Sequence, residues 1–327
     1  MPLRRHKRSA TTSNGMATGF GARFIAAVAL VLLALPAIAQ ADACADAANS
    51  PQAKLLLGPP AAVIDGATSH VFRTADGVDL TLFVFAPAQT SAKAPTDRKA
   101  AVVLFYGGGW LFGHPDQFAA QARHLAERGA VAILPDYRAY CRARTLVPGQ
   151  MEDAAAAVIW VRSHADELGV DPKRIAVSGG SSGGHLAVST AVFPKSVRTK
   201  EGRLISSRPD LLVVFYPCLD LTSEFEKSSA EAFGDHGRDV SPLFHVAAGL
   251  PPTVLFQGTK DPLYPEGKAY CAEARRKGDI CRFVEVENAS HGFFARPGPA
   301  YDEGLAGMDK VLADAGYLTS QVPAVVR

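Results

Sequence analysis

The stretch VSGGSSGGHLA, residues 177–187, decides the fold. An apolar run, RIAVS at 174–178, precedes it, and helical spacing follows from about Ser182. A G-x-S-x-G sequence between a strand and a helix is typical of a sharp turn that exposes a serine oxygen. Two overlapping registers centre on Ser181 and Ser182, and we favour Ser181 because it lies at the strand-to-helix junction. Taken by itself, the motif has two alternative interpretations, a Gly/Ser linker and a phosphate-binding turn.

Strands alternate with helices on both sides of this turn. Residues 70–86 predict a hairpin, and apolar runs predict strands at 101–106, 130–135, 174–178, 210–216, 253–257 and 281–287. Helical patterns cover about 116–128, 149–167, 182 onward, 266–277 and 299–314. This alternation predicts an α/β fold whose mostly parallel central sheet has helices on both faces. The stretch 219–250 is the one long irregular insert.

Residues that could take part in catalysis follow three other predicted strands. Tyr106-Gly107-Gly108-Gly109-Trp110 follows the strand at 101–106, and Asp261 and His291 follow the strands at 253–257 and 281–287. Ser, then Asp, then His is a triad order in which histidine takes the serine proton and the carboxylate orients the histidine. We therefore predict Ser181, Asp261 and His291 as catalytic residues. Asp220 is the alternative acid.

The glycine run predicts backbone donors for a developing oxyanion. We assign that role to the N–H groups of Gly107, Gly108 and Ser182. Tyr106, Trp110 and His114 are candidates for lining the pocket, with loop packing as the alternative. His185 lies beside the turn and is predicted to be a packing residue, whereas Arg142 and Arg144 are predicted to be solvated.

The segments YGGGW, GGSSGG, GTKDPL and SHGF resemble those of hormone-sensitive-lipase-like serine esterases. They look closest to the branch with bifunctional feruloyl and acetyl-xylan esterases, and the resemblance covers about residues 68–315. It implies an α/β-hydrolase fold and ester hydrolysis. Two departures are Tyr106, where lipase-type sequences have histidine, and Gly180, where many relatives have an acidic residue. The chain lacks a long helical N-terminal cap, so we expect a short or minimal cap with 219–250 as the rim of the site.

The first 41 residues read as a signal peptide. Five basic residues precede or flank the apolar run Phe24–Leu35, and the small residues AIAQADA follow. Cleavage after Ala39 or Ala41 fits, and Met1 or Met16 fits as the start. An uncleaved N-terminal anchor is the alternative. We predict a periplasmic or extracellular protein with an N-terminal extension at 42–67, a hydrolase domain at 68–327 and no stable membrane span after cleavage.

The five cysteines all lie beyond this segment, so an oxidising compartment would favour disulfides. Cys271 and Cys281 flank a predicted helix end, turn and strand start, and we predict that they are bonded. Cys218 is predicted to be buried and free. Cys44 with Cys141 is a weaker pairing, because nothing local joins them.

Composition excludes several classes of function. Beyond residue 41 the chain holds 29 basic and 32 acidic residues, a balance that gives no indication of nucleic-acid binding. No zinc-like Cys/His spacing occurs, and we predict neither a metal nor a cofactor. We predict an exported serine carboxylesterase for short acyl esters, which are either small molecules or acetyl and feruloyl groups on plant polysaccharide. A prolyl-oligopeptidase-like peptidase and a non-catalytic binding protein are the alternatives, and the oligomeric state stays open.

Overall fold

The computed structural model describes residues 44–45, 60, 62–88 and 98–319. The predicted signal peptide, residues 1–41, and most of the predicted extension, residues 42–67, lie outside these residues. Within the described ranges, no helix has both the length and the apolar character that crossing a membrane requires.

A mixed eight-stranded sheet forms the centre of the molecule, in the order β1-β2-β4-β3-β5-β8-β9-β10. The first strand pairs, β1 with β2 and β2 with β4, are antiparallel, and the remaining pairs are parallel. The mostly parallel sheet predicted from the alternation of elements is therefore confirmed. The strands, including the separate β6–β7 hairpin, are β1 (Thr68–Ala75), β2 (Val78–Phe85), β3 (Lys99–Phe105), β4 (Val131–Pro135), β5 (Val170–Gly180), β6 (Ser196–Arg198), β7 (Leu204–Ser206), β8 (Leu211–Phe215), β9 (Thr253–Gly258) and β10 (Cys281–Val286).

Helices cover both faces of this sheet. The α-helices of the described residues are α1 (Ala119–Glu127), α2 (Tyr140–Ala143), α3 (Val147–Ser163), α4 (Ser182–Val192), α5 (Ala230–Phe233), α6 (Tyr264–Arg276) and α7 (Pro299–Asp314). Apolar residues of α1 and α7 belong to one hydrophobic cluster, and those of α3, α4 and α6 belong to the other.

The central strands are buried on both sides. Val102 and Val103 are neighbours on β3 and are both fully buried, yet they belong to opposite clusters because successive strand residues point to opposite faces. This explains why the sequence of the strand is continuously apolar rather than alternating. A sheet that is covered on both faces leaves its carboxyl edge as the place where loops from several strands meet.

The insert at 219–250 is built from short pieces. It contains α5 and the 3-10 helices Phe225–Ser229, Gly234–His236 and Pro242–His245. The longest of these has five residues. The insert begins shortly after β8 ends at Phe215, so it starts at the carboxyl edge of the sheet, where a rim is expected.

The described residues contain two disulfides, one between neighbouring elements and one between residues 97 positions apart. Cys271 on α6 and Cys281 on β10 are bonded with Cα atoms 5.1 Å apart, which confirms the predicted pair. Cys44 is bonded to Cys141 with Cα atoms 5.3 Å apart, so the weaker pairing also occurs. Cys218 is buried and has a free thiol, as predicted.

Candidate active site

Ser181 lies at a strained turn between β5 and α4. Its backbone has φ 57° and ψ −127°, a conformation that residues other than glycine rarely adopt. The turn packs tightly against the end of β3, where a Cβ atom on Gly183 would lie 2.1 Å from the Phe105 carbonyl oxygen. Only glycine fits there, which explains the glycines that follow the serine. Ser181, rather than Ser182, is therefore the residue at the turn, in agreement with the register that we favour.

A hydrogen-bonded chain connects Ser181, His291 and Asp261. The Ser181 hydroxyl donates to His291 Nε2 across 2.8 Å. On the other side of the ring, His291 Nδ1 lies 3.0 Å from Asp261 Oδ2 and 3.2 Å from Oδ1. The Asp261 side chain is fully buried, whereas that of His291 is 24% exposed. Such an arrangement lets histidine accept the serine proton while the carboxylate fixes its tautomer.

The alternative acid, Asp220, has a different set of contacts. Its carboxylate accepts the backbone N–H and the hydroxyl of Thr222, at 2.9 and 2.5 Å. It therefore organises the first turn of the insert, and Asp261 is the carboxylate that contacts His291.

One of the predicted oxyanion donors in the glycine loop is hydrogen-bonded to a side chain. The Gly107 N–H donates to the Gln117 side-chain oxygen across 2.8 Å, so this amide is already occupied. Within the described part of the chain, the amides of Gly108 and Gly109 have no acceptor. Gly108 has φ 145° and Gly109 has φ 61°, and these positive values turn the loop after β3. The amides of Gly108 and Ser182 therefore remain candidate donors, whereas the Gly107 amide would first have to leave Gln117.

Tyr106 belongs to a buried network next to the glycine loop and does not line the pocket. It is fully buried, and its hydroxyl donates to Asp136 across 2.8 Å while its ring stacks on Tyr137 at 4.1 Å. Arg142 donates to Asp136 at 2.7 Å and to the Tyr106 hydroxyl at 3.2 Å. Burial and the Asp136 carboxylate raise the pKa of Tyr106, so its phenol stays neutral. The predictions that Tyr106 lines the pocket and that Arg142 is solvated are both wrong.

Trp110 is also fully buried, so it does not line the pocket as predicted. Its indole N–H donates to His185 Nδ1 across 3.2 Å, and His185 Nε2 donates to the Val240 carbonyl across 2.8 Å. Burial lowers the pKa of His185 to about 4, so this histidine is a neutral packing residue, as predicted. His114 is half-buried, in the turn that precedes the 3-10 helix Pro115–Phe118.

Other residues around His291 were missed by the sequence analysis. The Phe225 ring lies 5.3 Å from the His291 ring and is 41% exposed, and the Tyr216 ring lies 5.0 Å from it on another side. The Cys218 sulfur lies 3.7 Å from the Ser181 hydroxyl oxygen. Phe225 comes from the irregular insert, where no periodic pattern could have indicated its position.

The chain belongs to the alpha/beta hydrolase fold family, whose model matches residues 102–295. Among solved structures it is similar to an esterase of Thermogutta terrifontis with butyrate bound, at 37% identity and a TM-score of 0.70, over 79% of this chain and 97% of that one. The same esterase phosphonylated by sarin gives a TM-score of 0.72 at 36% identity, over 79% of this chain and 98% of that chain.

Curated relatives are also named as esterases. The probable carboxylic ester hydrolase LipM of Mycobacterium tuberculosis is 32% identical over 52% of this chain and 43% of its own length. An esterase of Fusarium pseudograminearum is 28% identical over 72% of this chain and 78% of its own length. The chain spans about half the length of the first two Mycobacterium relatives, LipM at 43% and LipN at 56%.

Proposed function

We propose that the protein is a serine carboxylesterase. The observation that carries this proposal is the 2.8 Å contact between the Ser181 hydroxyl and His291 Nε2 at a strained turn, with Asp261 on the opposite side of the imidazole. Ser181 attacks the ester carbonyl as His291 takes its proton, and the amides of Gly108 and Ser182 stabilise the oxyanion. His291 then protonates the leaving alcohol and activates the water that releases the acid.

We further propose that the natural substrates carry short acyl groups, with acetyl or feruloyl esters of plant polysaccharide as the favoured class. Thermogutta esterase structures with butyrate and with propionate bound support a small acyl pocket. The partly exposed Phe225 ring beside His291 offers a surface on which an aromatic acyl group can stack. The sequence resemblance alone supports the proposal that the protein lies close to the feruloyl and acetyl-xylan esterase branch.

Export is part of the proposal. The two disulfides support an oxidising compartment, since such bonds are rare in the cytosol. The basic and apolar residues of the first 41 positions supply the signal for this route. Mass spectrometry of the protein from the periplasm or medium tests both cleavage and export.

The enzymatic proposal is tested with p-nitrophenyl esters from acetate to decanoate, run beside acetylated xylan and methyl ferulate. Ser181→Ala is the inactive variant, and Ser182→Ala is its matched control because it keeps the backbone N–H. We expect the highest kcat/KM on the shortest chains. A wild-type protein that hydrolyses none of these esters would favour the non-catalytic binding protein.

A covalent label tests the nucleophile independently of the natural substrate. A solved structure shows the Thermogutta esterase phosphorylated by paraoxon. We expect paraoxon to inactivate this protein and to leave a diethylphosphoryl group on the peptide that contains Ser181. A label on Ser182 instead would assign the nucleophile to the other register.

A further inference from the structure

One aromatic ring contacts both the proposed base and the turn that carries the nucleophile. It belongs to Tyr216, which directly follows β8 and is 2% exposed. Its ring centroid lies 5.0 Å from that of His291, with the planes at 64°, and 5.1 Å from that of Phe293, with the planes at 68°. Steeply inclined rings at these distances attract each other. The tyrosine ring therefore packs against the histidine that takes the Ser181 proton.

The far end of the same ring lies against the residue that precedes the nucleophile. This residue is Gly180, the last residue of β5. A Cβ atom on Gly180 would lie 2.8 Å from Cε2 and from the hydroxyl oxygen of Tyr216, and 2.9 Å from Cζ. Nonbonded carbon atoms pack best at about 3.5 to 4.0 Å, so any side chain at position 180 has to displace the ring. The acidic side chain that many relatives carry there would need the space that Tyr216 fills.

The backbone holds Tyr216 in a fixed place relative to the nucleophile. Its φ is 36°, which residues other than glycine rarely adopt, and its N–H donates to the Phe256 carbonyl across 2.8 Å. On one side of it, the Phe215 carbonyl accepts the Ser181 N–H at 3.2 Å. On the other side, the Cys218 N–H donates to the Ser181 carbonyl at 3.3 Å. The backbone of the nucleophile is thus hydrogen-bonded to residues on both sides of the tyrosine.

We propose that Tyr216 is a positioning residue whose ring sets the distance between His291 Nε2 and the Ser181 hydroxyl. Gly180 lacks a side chain because that ring occupies the space. This inference rests on the proposed roles of Ser181 and His291. A misplacement of about 1 Å between reacting groups can lower a rate about 100-fold, so a shift of the ring should reduce the rate of the chemical step.

A double-mutant cycle tests whether the ring transmits such a shift. Gly180→Ala should lower kcat on p-nitrophenyl acetate about 10- to 100-fold and change KM by less than about twofold. Tyr216→Leu removes the three atoms nearest to position 180, so in that background Gly180→Ala should change kcat by less than about twofold. Equal losses in the two backgrounds, or no loss in Gly180→Ala alone, would overturn the proposal.

Single substitutions separate positioning from a merely structural role, with kcat expressed per site that paraoxon labels. Tyr216→Phe keeps the ring and should retain kcat within about threefold, whereas Tyr216→Leu should lower it about 10- to 100-fold. Phe83→Leu is the matched control, because Phe83 is buried in the same hydrophobic cluster but lies on β2. It should destabilise the protein and leave kcat unchanged. Similar losses of kcat in Phe83→Leu and Tyr216→Leu would refute a positioning role.

None of these substitutions alters the charge beside His291. Burial and the Asp261 carboxylate raise the pKa of Tyr216, so its phenol is neutral, and each replacement is neutral as well. A change in kcat therefore reports the position of the ring and not a new electrostatic field.

NMR of the histidine ring keeps the proposal testable if Tyr216→Leu fails to fold. A displaced Tyr216 ring changes the magnetic environment of His291, so the His291 ring signals should shift in Gly180→Ala. A fall in kcat with unchanged His291 signals would refute the proposal. Paraoxon labelling of Ser181 in the wild type tests the nucleophile separately. Its failure would overturn the proposed function, whereas failure of the cycle in a protein that paraoxon labels would overturn this inference alone.

Discussion

Replacing Glu226 with glutamine should change how the stability of the protein depends on pH. The folded protein raises the pKa of this buried carboxyl from 4.5 to about 7. A raised pKa means that the folded state binds the proton more tightly than the unfolded state does. The stabilising contribution is therefore complete below about pH 4.5 and is lost as pH rises through about 7. Linkage puts the total loss at about 3 kcal/mol, of which about 2 to 3 kcal/mol falls between pH 5 and pH 8.

The assay is urea unfolding of the wild type and Glu226→Gln at pH 5 and pH 8, followed by circular dichroism. Glutamine has nearly the same size and does not titrate, so any pH-independent cost of the substitution is common to both conditions. We expect the variant to gain about 2 to 3 kcal/mol relative to the wild type on going from pH 5 to pH 8. The same difference at both pH values would refute the raised pKa and the buried, acidic environment that causes it.

The remaining predictions concern the turn and the loop that faces it. Ser181→Ala should lower kcat by about 10⁴ to 10⁶ without unfolding the protein. Ser182→Ala should keep substantial activity on p-nitrophenyl acetate. Reversed effects would assign the role of nucleophile to Ser182. Gln117→Ala should lower kcat about two- to tenfold by loosening the glycine loop, while an increase would mean that the released Gly107 amide itself binds the oxyanion. Tyr106→Phe should cost about 1 to 3 kcal/mol of unfolding free energy by removing the hydroxyl from a buried network, and an unchanged denaturation midpoint would contradict that role.

The hydrogen-bonded group of Ser181, His291 and Asp261 could be predicted because these residues follow strands whose carboxyl ends meet at one sheet edge. Strand patterns and short motifs locate such ends, so Ser181, Asp261 and His291 were found without any knowledge of packing. The hydrogen bond that occupies the Gly107 amide could not be predicted in this way. A run of three glycines has three available amides, and sequence does not reveal that Gln117 captures the first of them.

Two other kinds of residue could not be placed from the sequence: those of the irregular insert and the polar groups that are buried. Phe225 and Glu226 are adjacent in a short 3-10 helix, where neither a period of two nor one of 3.6 residues identifies the inward side. Because arginine is usually exposed, the sequence predicts that Arg142 is solvated. Its side chain is instead only 15% exposed and lies 2.7 Å from the Asp136 carboxylate and 3.2 Å from the Tyr106 hydroxyl.

The Cys44–Cys141 bridge limits how the amino terminus can be engineered. Cys141 adjoins Arg142, whose guanidinium contacts the hydroxyl beneath the glycine loop at 3.2 Å. A truncation that starts beyond Cys44, or a fusion partner that displaces it, leaves Cys141 with an unpaired thiol next to this contact. Variants shortened at the amino terminus would therefore change the covalent anchoring of the segment that packs next to Tyr106 and the glycine loop. Trimmed and full-length proteins should be compared only after thiol titration has established which of them retain the bridge.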